Sequence, residues 1–171
     1  LALLAVERRL IKFLPQIQLQ DELASIKQRR VECIRRMDLE LSYIELYDWL
    51  FGIVRTQLRT NKEATLALIR ETLQDRLLTQ ENLPASFQAR SYQYLCTAFC
   101  HQFLGHFAQA QAVHAQNVAL WEAHPHWIAE ESLQHQRALA NYLSVCQMND
   151  DWAPFEEILP KLAENTGQSI E

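Results

Sequence analysis

Helix breaks recur along this chain at nearly equal intervals. Thr60-Asn61, Gly105-His106 and Asn149-Asp150 are short polar interruptions between strongly helical stretches, spaced 45 and then 44 residues apart. A second series, Pro84 and Pro125, falls 41 residues apart in the remaining gaps. Two interleaved series of breaks are what repeated helical hairpins produce, and a period of this length marks a repeat architecture. Little else interrupts helix, since the 171 residues include three glycines and five prolines. The good helix formers Leu, Ala, Gln, Glu and Arg are abundant, and β-branched residues nowhere alternate over a strand's length.

The helices that follow the first series share a phase. Phe107, Ala110, Val113, His114 and Val118 stand 45 residues before Trp152, Phe155, Ile158, Leu159 and Ala163. Moved back by 45, Val113, His114 and Val118 fall on Leu68, Ile69 and Leu73. The helices that precede the breaks agree as well: Leu95, Ala98 and Phe99 match Leu139, Tyr142 and Leu143 at an offset of 44, and Leu50, Ile53 and Val54 at 45. Their opposite stripe is polar each time, with Glu45, Asp48, Gly52 and Thr56, then Arg90, Gln93, Thr97 and His101, then Gln134, Arg137 and Asn141. Positions three and four apart share a helix face, so one face is apolar and the other polar in three units.

The pattern predicts helices over 2–14, 21–37, 39–59, 63–80, 86–104, 107–123, 127–148 and 151–165. Asp21 and Asp150 or Asp151 are predicted N-caps, because a carboxylate accepts the orphan N–H groups of a first turn. Pro154 suits a first turn, Pro160 predicts a kink or an early end, and Gln168 to Glu171 are expected to fray. A two-helix unit cannot bury its own apolar face, so neighbours must stack. The expected architecture is all-α, a right-handed superhelical stack of about eight helices in antiparallel hairpins. It forms one domain, 1–171, with units at about 39–84, 85–125 and 126–165 after a preceding helix pair in 1–38. The chain begins without methionine and reads as a fragment of a longer protein, with an upstream partner helix missing.

Gly105-His106-Phe107-Ala108-Gln109-Ala110 resembles the turn of a tetratricopeptide repeat. In that family a glycine ends the first helix, an aromatic follows two residues later, and a small alanine comes three further on. Asn149-Asp150-Asp151-Trp152 with Phe155 resembles the same turn with the small residue enlarged, and Thr60-Asn61-Lys62-Glu63-Ala64 is a weaker copy. The repeat here is longer than the family's usual 34 residues. The family's early Trp, Leu-Gly and Tyr are missing from the first helix, and the closing proline comes late, at Pro125. The chain therefore resembles a divergent, long-helix branch of that superfamily or a neighbouring α-solenoid. The resemblance implies a protein-interaction scaffold whose first helices line a concave groove.

Net charge is −5, unevenly spread. Residues 1–62 hold eleven Lys/Arg against eight Asp/Glu, and residues 63–171 hold five against thirteen. Such polarity suits end-to-end self-association or a basic partner. The acidic total speaks against nucleic acid, and no apolar run is long enough to span a membrane. Leu1 to Leu14 carries Glu7, Arg8, Arg9 and Lys12, which fits an amphipathic helix and not a signal peptide. Cys33, Cys96, Cys100 and Cys146 all sit in helical, apolar-periodic contexts and are expected to be reduced and buried, as in a cytoplasmic protein.

Candidate chemistry is sparse. His124-Pro125-His126-Trp127 could offer two imidazoles to a transition metal but has no third ligand at metal spacing, so a loop anchored by Trp127 is expected. Cys96 and Cys100, one turn apart beside His101, lack a second pair and are assigned to packing. Lys27-Gln28-Arg29-Arg30 and Arg35-Arg36 read as a solvated face ion-paired with Glu22, Glu32 and Asp38. Glu130-Glu131 and Glu156-Glu157 diverge around their helices and form no dyad. Trp49, Trp121, Trp127 and Trp152 are assigned to the spaces between helices. With no nucleophile elbow, phosphate-cradling loop or H-E-x-x-H, an enzyme is not expected, nor a cofactor or resident metal.

What is expected is a groove for a protein or peptide partner, lined by Glu45, Asp48, Arg90, Gln93, Thr97, His101, Gln134, Arg137 and Asn141. Two other outcomes are a ligand- or peptide-sensing regulatory domain of a larger signalling or transcription protein, and a structural homodimer.

Overall fold

The computed structural model of the protein describes residues 2–10, 16–57, 62–79, 84 and 86–167. Every secondary-structure element among them is an α-helix: α1 (Ala2–Leu10), α2 (Gln16–Gln57), α3 (Lys62–Thr72), α4 (Arg76–Thr79), α5 (Phe87–Phe103), α6 (Phe107–Glu122), α7 (Pro125–Glu130), α8 (Ser132–Met148) and α9 (Ala153–Gly167). The all-α expectation is met. The Thr60-Asn61 break and the Gln168–Glu171 end lie outside the described residues.

Four boundaries differ from those expected. The break at residue 38 is absent, because Met37-Asp38-Leu39 contains no breaker and α2 runs through it as one helix of 42 residues. α2 also begins earlier than expected, at Gln16, so Asp21 lies inside it and is not its N-cap. The helix expected over 63–80 is interrupted at Leu73–Asp75, where the Leu77 amide donates to Asp75 Oδ1 at 2.8 Å and starts α4. The helix expected over 127–148 is interrupted at Glu131 (φ −127°, ψ 46°), which separates α7 from α8. Pro125, by contrast, occupies the first turn of α7. Pro160 sits inside α9, which continues past it to Gly167.

The chain divides into two units, Leu1–Ser42 and Tyr43–Glu171. In the first, α1 meets α2 through a fork: Arg29 Nη2 lies 2.8 Å from Glu7 Oε2, and Nη1 donates to Glu7 Oε1 at 3.3 Å. Both partners are largely exposed, so the pair contributes little stability. Arg36 pairs with Glu32 one turn away, as expected of a solvated basic face.

The second unit is built from hairpins. Ser86 caps α5, its Oγ accepting from the Ala89 amide at 3.2 Å. Gly105 ends α5 at φ +79°, with the His106 amide donating to the His101 carbonyl and the Gly105 amide to that of Gln102. This is a Schellman closure, which needs a left-handed residue. Asp150 repeats it at φ 56°, with Asp151 donating to Cys146 and Asp150 to Gln147. The Ala153 amide then donates to Asp151 Oδ1 at 3.2 Å, so Asp151 is the capping residue of the expected pair.

These turns fold α6 back along α5 and α9 back along α8, and α6 packs on α8. Gln111 Nε2 donates to Asp151 Oδ2 at 2.6 Å near the start of α6, and Lys161 Nζ lies 2.6 Å from Glu122 Oε1 at its end. Contacts at both ends in the same order make α6 and α9 parallel. One core cluster joins Leu50, Ile69, Cys96 and Cys100, and a second joins Val118, Leu139, Leu143 and Ile158.

Two glycine substitutions should have opposite signs. An added Cβ meets nothing within 4 Å at Gly105 or Gly52. Gly105→Ala therefore carries only the left-handed strain, about 1–2 kcal/mol of lost stability. Gly52→Ala, inside α2, should gain about 0.5–1 kcal/mol. Urea midpoints moving in the same direction would contradict this account of the turn.

Candidate functional site

A cavity of about 410 Å³ opens in the second unit, and α2, α5 and α8 each give it one stripe. From α2 come Ile44, Tyr47, Asp48 and Phe51. From α5 come Gln88, Ser91, Tyr92 and Leu95, with Phe87 and Phe99 at the ends of the row. From α8 come Gln134, Arg137, Ala138 and Asn141, preceded by Glu131. All three stripes have the spacing i, i+3, i+4, i+7 of one helix face. Asn117 and Trp121 of α6 and Trp127 of α7 complete the lining.

Aromatic rings dominate this groove. Phe87 and Trp127 stack with centroids 5.0 Å apart and planes 7° from parallel, and Phe87 meets Trp121 edge-on at 4.8 Å. Tyr47 contacts Tyr92 edge-on at 5.6 Å and Phe99 at 5.8 Å. Burial pushes both phenols above their ordinary pKa, so each keeps its proton. The Asp48 carboxylate raises Tyr92 further, followed by Glu131, while the Arg137 guanidinium opposes them. Ser91 Oγ donates to Asn117 Oδ1 at 2.9 Å, tying α5 to α6 behind the groove.

Of the nine residues expected to line a groove, the structure brings four together here: Asp48, Gln134, Arg137 and Asn141. The other five lie elsewhere. Glu45 is exposed on α2, outside the lining. The Arg90 guanidinium donates to the Pro84 carbonyl through Nε at 3.2 Å and Nη2 at 3.0 Å. Gln93 is buried, with Nε2 donating to the Leu77 carbonyl at 3.2 Å, the same oxygen that accepts from Tyr43 Oη at 2.6 Å. Thr97 is half-buried away from the cavity. His101 Nδ1 faces His106 Nδ1 at 3.5 Å, and burial followed by that second imidazole lowers its pKa.

The displacement on α5 has a simple origin. The groove stripes correspond as 44, 88 and 134, then 47, 91 and 137, which are spacings of 44 and 46 residues. Buried pairs on α5 and α8 repeat the second value: Ala89 with His135, Gln93 with Leu139, Cys100 with Cys146. A constant period of 44–45 rotated the α5 face by a residue or two and placed Gln93 where Ser91 and Tyr92 stand.

The remaining assignments divide. Cys96, Cys100 and Cys146 are buried thiols and Cys33 is half-buried, with burial pushing Cys100 up to about 12 and Cys96 higher still. Such thiols are unreactive. The His124–Trp127 segment is not the expected loop, because Pro125, His126 and Trp127 form the first turn of α7; His124 Nδ1 lies 2.8 Å from the Leu120 carbonyl, Trp127 anchors that helix on Phe87, and no metal-binding cluster occurs among the described residues. Trp121 is buried, but Trp49 and Trp152 are exposed, contrary to their assignment to the interior. Trp152 lies over Phe155 and donates from Nε1 to Asp150 Oδ1 at 2.9 Å, so it braces its turn from outside.

No described helix is long and apolar enough to cross a membrane. Compared with protein-family models, curated proteins and solved structures, the sequence finds no match.

Proposed function

We propose that the chain is a binding module, a scaffold of tetratricopeptide-like hairpins that holds a peptide or protein segment in the groove of α2, α5 and α8. The observation that carries this reading is the three stripes in matching spacing around one aromatic cavity. Aromatic side chains supply large contact area at low entropic cost, and the few polar groups among them set orientation. The groove offers Arg137 with Asp48 and Glu131, all acting electrostatically on Tyr92, a mixture suited to steering a partner of mixed charge. No polar cluster in it has the nucleophile–base geometry of an enzyme.

A sensing role for a small ligand is the second reading, and the cavity's size favours it. A volume of 410 Å³ lies within the range of small-molecule pockets, at the level of one side chain with its flanking backbone. The module would then regulate a larger signalling or transcription protein.

Peptides selected from a random display library on the wild-type protein test the scaffold reading. Gln134→Trp places a bulky ring at an exposed groove position, whereas Gln116→Trp places one on α6 outside the lining. The first should weaken the selected peptides by about tenfold or more, and the second should leave them unchanged. Equal effects of the two would remove the groove from the account.

A further inference from the structure

The groove has an unmet demand on its α6 side. Asn117 is 1% exposed and Trp121 4%, and both line the cavity. Asn117 Oδ1 is taken by Ser91, yet Asn117 Nδ2 and Trp121 Nε1 have no acceptor within reach among the described residues. Buried donors are almost always paired, because an unmade hydrogen bond forfeits the hydration that the group had in water. Asn117 and Trp121 belong to one wall of the cavity and are four residues apart on α6, so their backbones stand about 6 Å apart along its axis.

We infer that the groove takes an uncharged amide segment bearing a bulky apolar side chain, with its carbonyl oxygens accepting from Asn117 Nδ2 and Trp121 Nε1. This deepens the groove reading proposed above and rests on it. Both donors are neutral, and among the described residues the lining carries two carboxylates, Asp48 and Glu131, against one guanidinium, that of Arg137. A buried anion there would have no cation on the floor to offset its desolvation, whereas a carbonyl needs only the two N–H groups. The aromatic walls exclude a small polar solute and favour a ring or branched aliphatic group beside the amide. Both nitrogens are closed to solvent in the free protein, so binding requires the Asn117 amide and the Trp121 ring both to turn towards the cavity as it fills.

The shared chemistry, a carbonyl beside an apolar group, occurs in a residue within a peptide and in a free small amide. The probes are N-acetyl-L-phenylalaninamide, the corresponding acid N-acetyl-L-phenylalanine, and a blocked pentapeptide with Phe at its centre. The readout is the Asn117 side-chain NH₂ and Trp121 indole N–H signals in nitrogen–proton correlation spectra of the whole chain. The amide should shift both signals saturably, and the acid should bind about tenfold more weakly or worse. A pentapeptide that binds more tightly than the amide identifies a peptide segment, and equal affinity identifies a free amide.

Asn117→Leu should weaken the amide by about tenfold or more without lowering Tm, since Ser91 Oγ can turn to its own helix's preceding carbonyls. Trp121→Phe keeps a smaller aromatic ring there, removes the second donor and should weaken the amide severalfold. Silent Asn117 and Trp121 signals at saturating amide, an acid that binds equally, or Asn117→Leu binding at wild-type strength would each overturn the inference. Silent floor signals with responding Tyr92 and Trp127 would end it while leaving the groove reading standing. That reading falls separately, on the Gln134→Trp comparison.

Discussion

As pH falls from 6.5 towards 4, His114 alone should remove about 3 kcal/mol of stability, the linkage value of its lowered pKa. His114 is fully buried, neither ring nitrogen has a hydrogen-bond partner among the described residues, and Phe99 meets the ring edge-on at 5.9 Å. Neutral imidazole is tolerated there, but imidazolium would be stranded without water or a counter-charge, and burial lowers the pKa to about 4. The unfolded chain binds its proton near the ordinary value of about 6.5, and the folded chain resists until about 4. The unfolded state therefore holds more protons throughout that window. Stability is complete above it, declines through it as pH falls, and levels off below it. His101 and His135 are also lowered by burial and add to the slope.

The comparison of wild type with His114→Leu isolates the one residue. At pH 7 the variant should match or exceed wild type, because it removes two unpartnered buried nitrogens at the cost of a small change in volume. In urea unfolding at pH 7, 5.5 and 4.5 it should lose the larger part of the acid-side decline. Parallel pH profiles for the two proteins would mean that His114 reaches solvent or a partner when charged.

The same residue shows what periodicity in this chain conveys. Val113 and His114 fall in phase with Leu68 and Ile69, and that phase does bury His114 as it buries Ile69. Periodicity reports which way a side chain points and is indifferent to its polarity. Turn chemistry was equally legible: Gly105 and Asp150 adopt the left-handed conformation at the two described breaks of the first series. The boundary expected at residue 38 had no such signal behind it: Met37-Asp38-Leu39 contains no breaker, and α2 runs through it.

The groove was partly legible, and what was missed on α5 lies in a shift of phase by one or two residues. Asp48, Gln134, Arg137 and Asn141 were found because α2 and α8 were read on the correct face. On α5 the constant period chose Arg90 and Gln93, which hold the Pro84 and Leu77 carbonyls and so fix the helix from behind. Glu131 explains part of the mismatch, since the interruption there separates α7 from α8 and shifts the later register. Tyr47, Phe87, Tyr92 and Trp127 were missed for another reason. Aromatic residues at helical spacing are usually core, and only tertiary packing shows that these line a cavity instead of filling one.

That aromatic wall leads to the largest single-residue effect expected. Trp121 is 4% exposed, meets Phe87 edge-on at 4.8 Å and lies 5.7 Å from the His135 ring. It thereby joins α6 to the start of α5 and to α8 at the point where Phe87 supports Trp127 and the short helix α7. Trp121→Ala should cost about 3–5 kcal/mol, the usual range for truncating a buried tryptophan, because the helices around it cannot close over the space. Trp121→Phe should retain most of that stability, keeping the edge-on contact while removing the indole nitrogen. The decisive comparison is between Trp121→Ala and Trp127→Ala. Trp127 is half-buried and held chiefly by the stack on Phe87, so its loss should cost less in urea while still stripping one wall from the groove. If Trp127→Ala proves the more destabilising, α7 and not α6 organises this end of the cavity, and the ordering of supports from Trp121 through Phe87 to Trp127 is reversed.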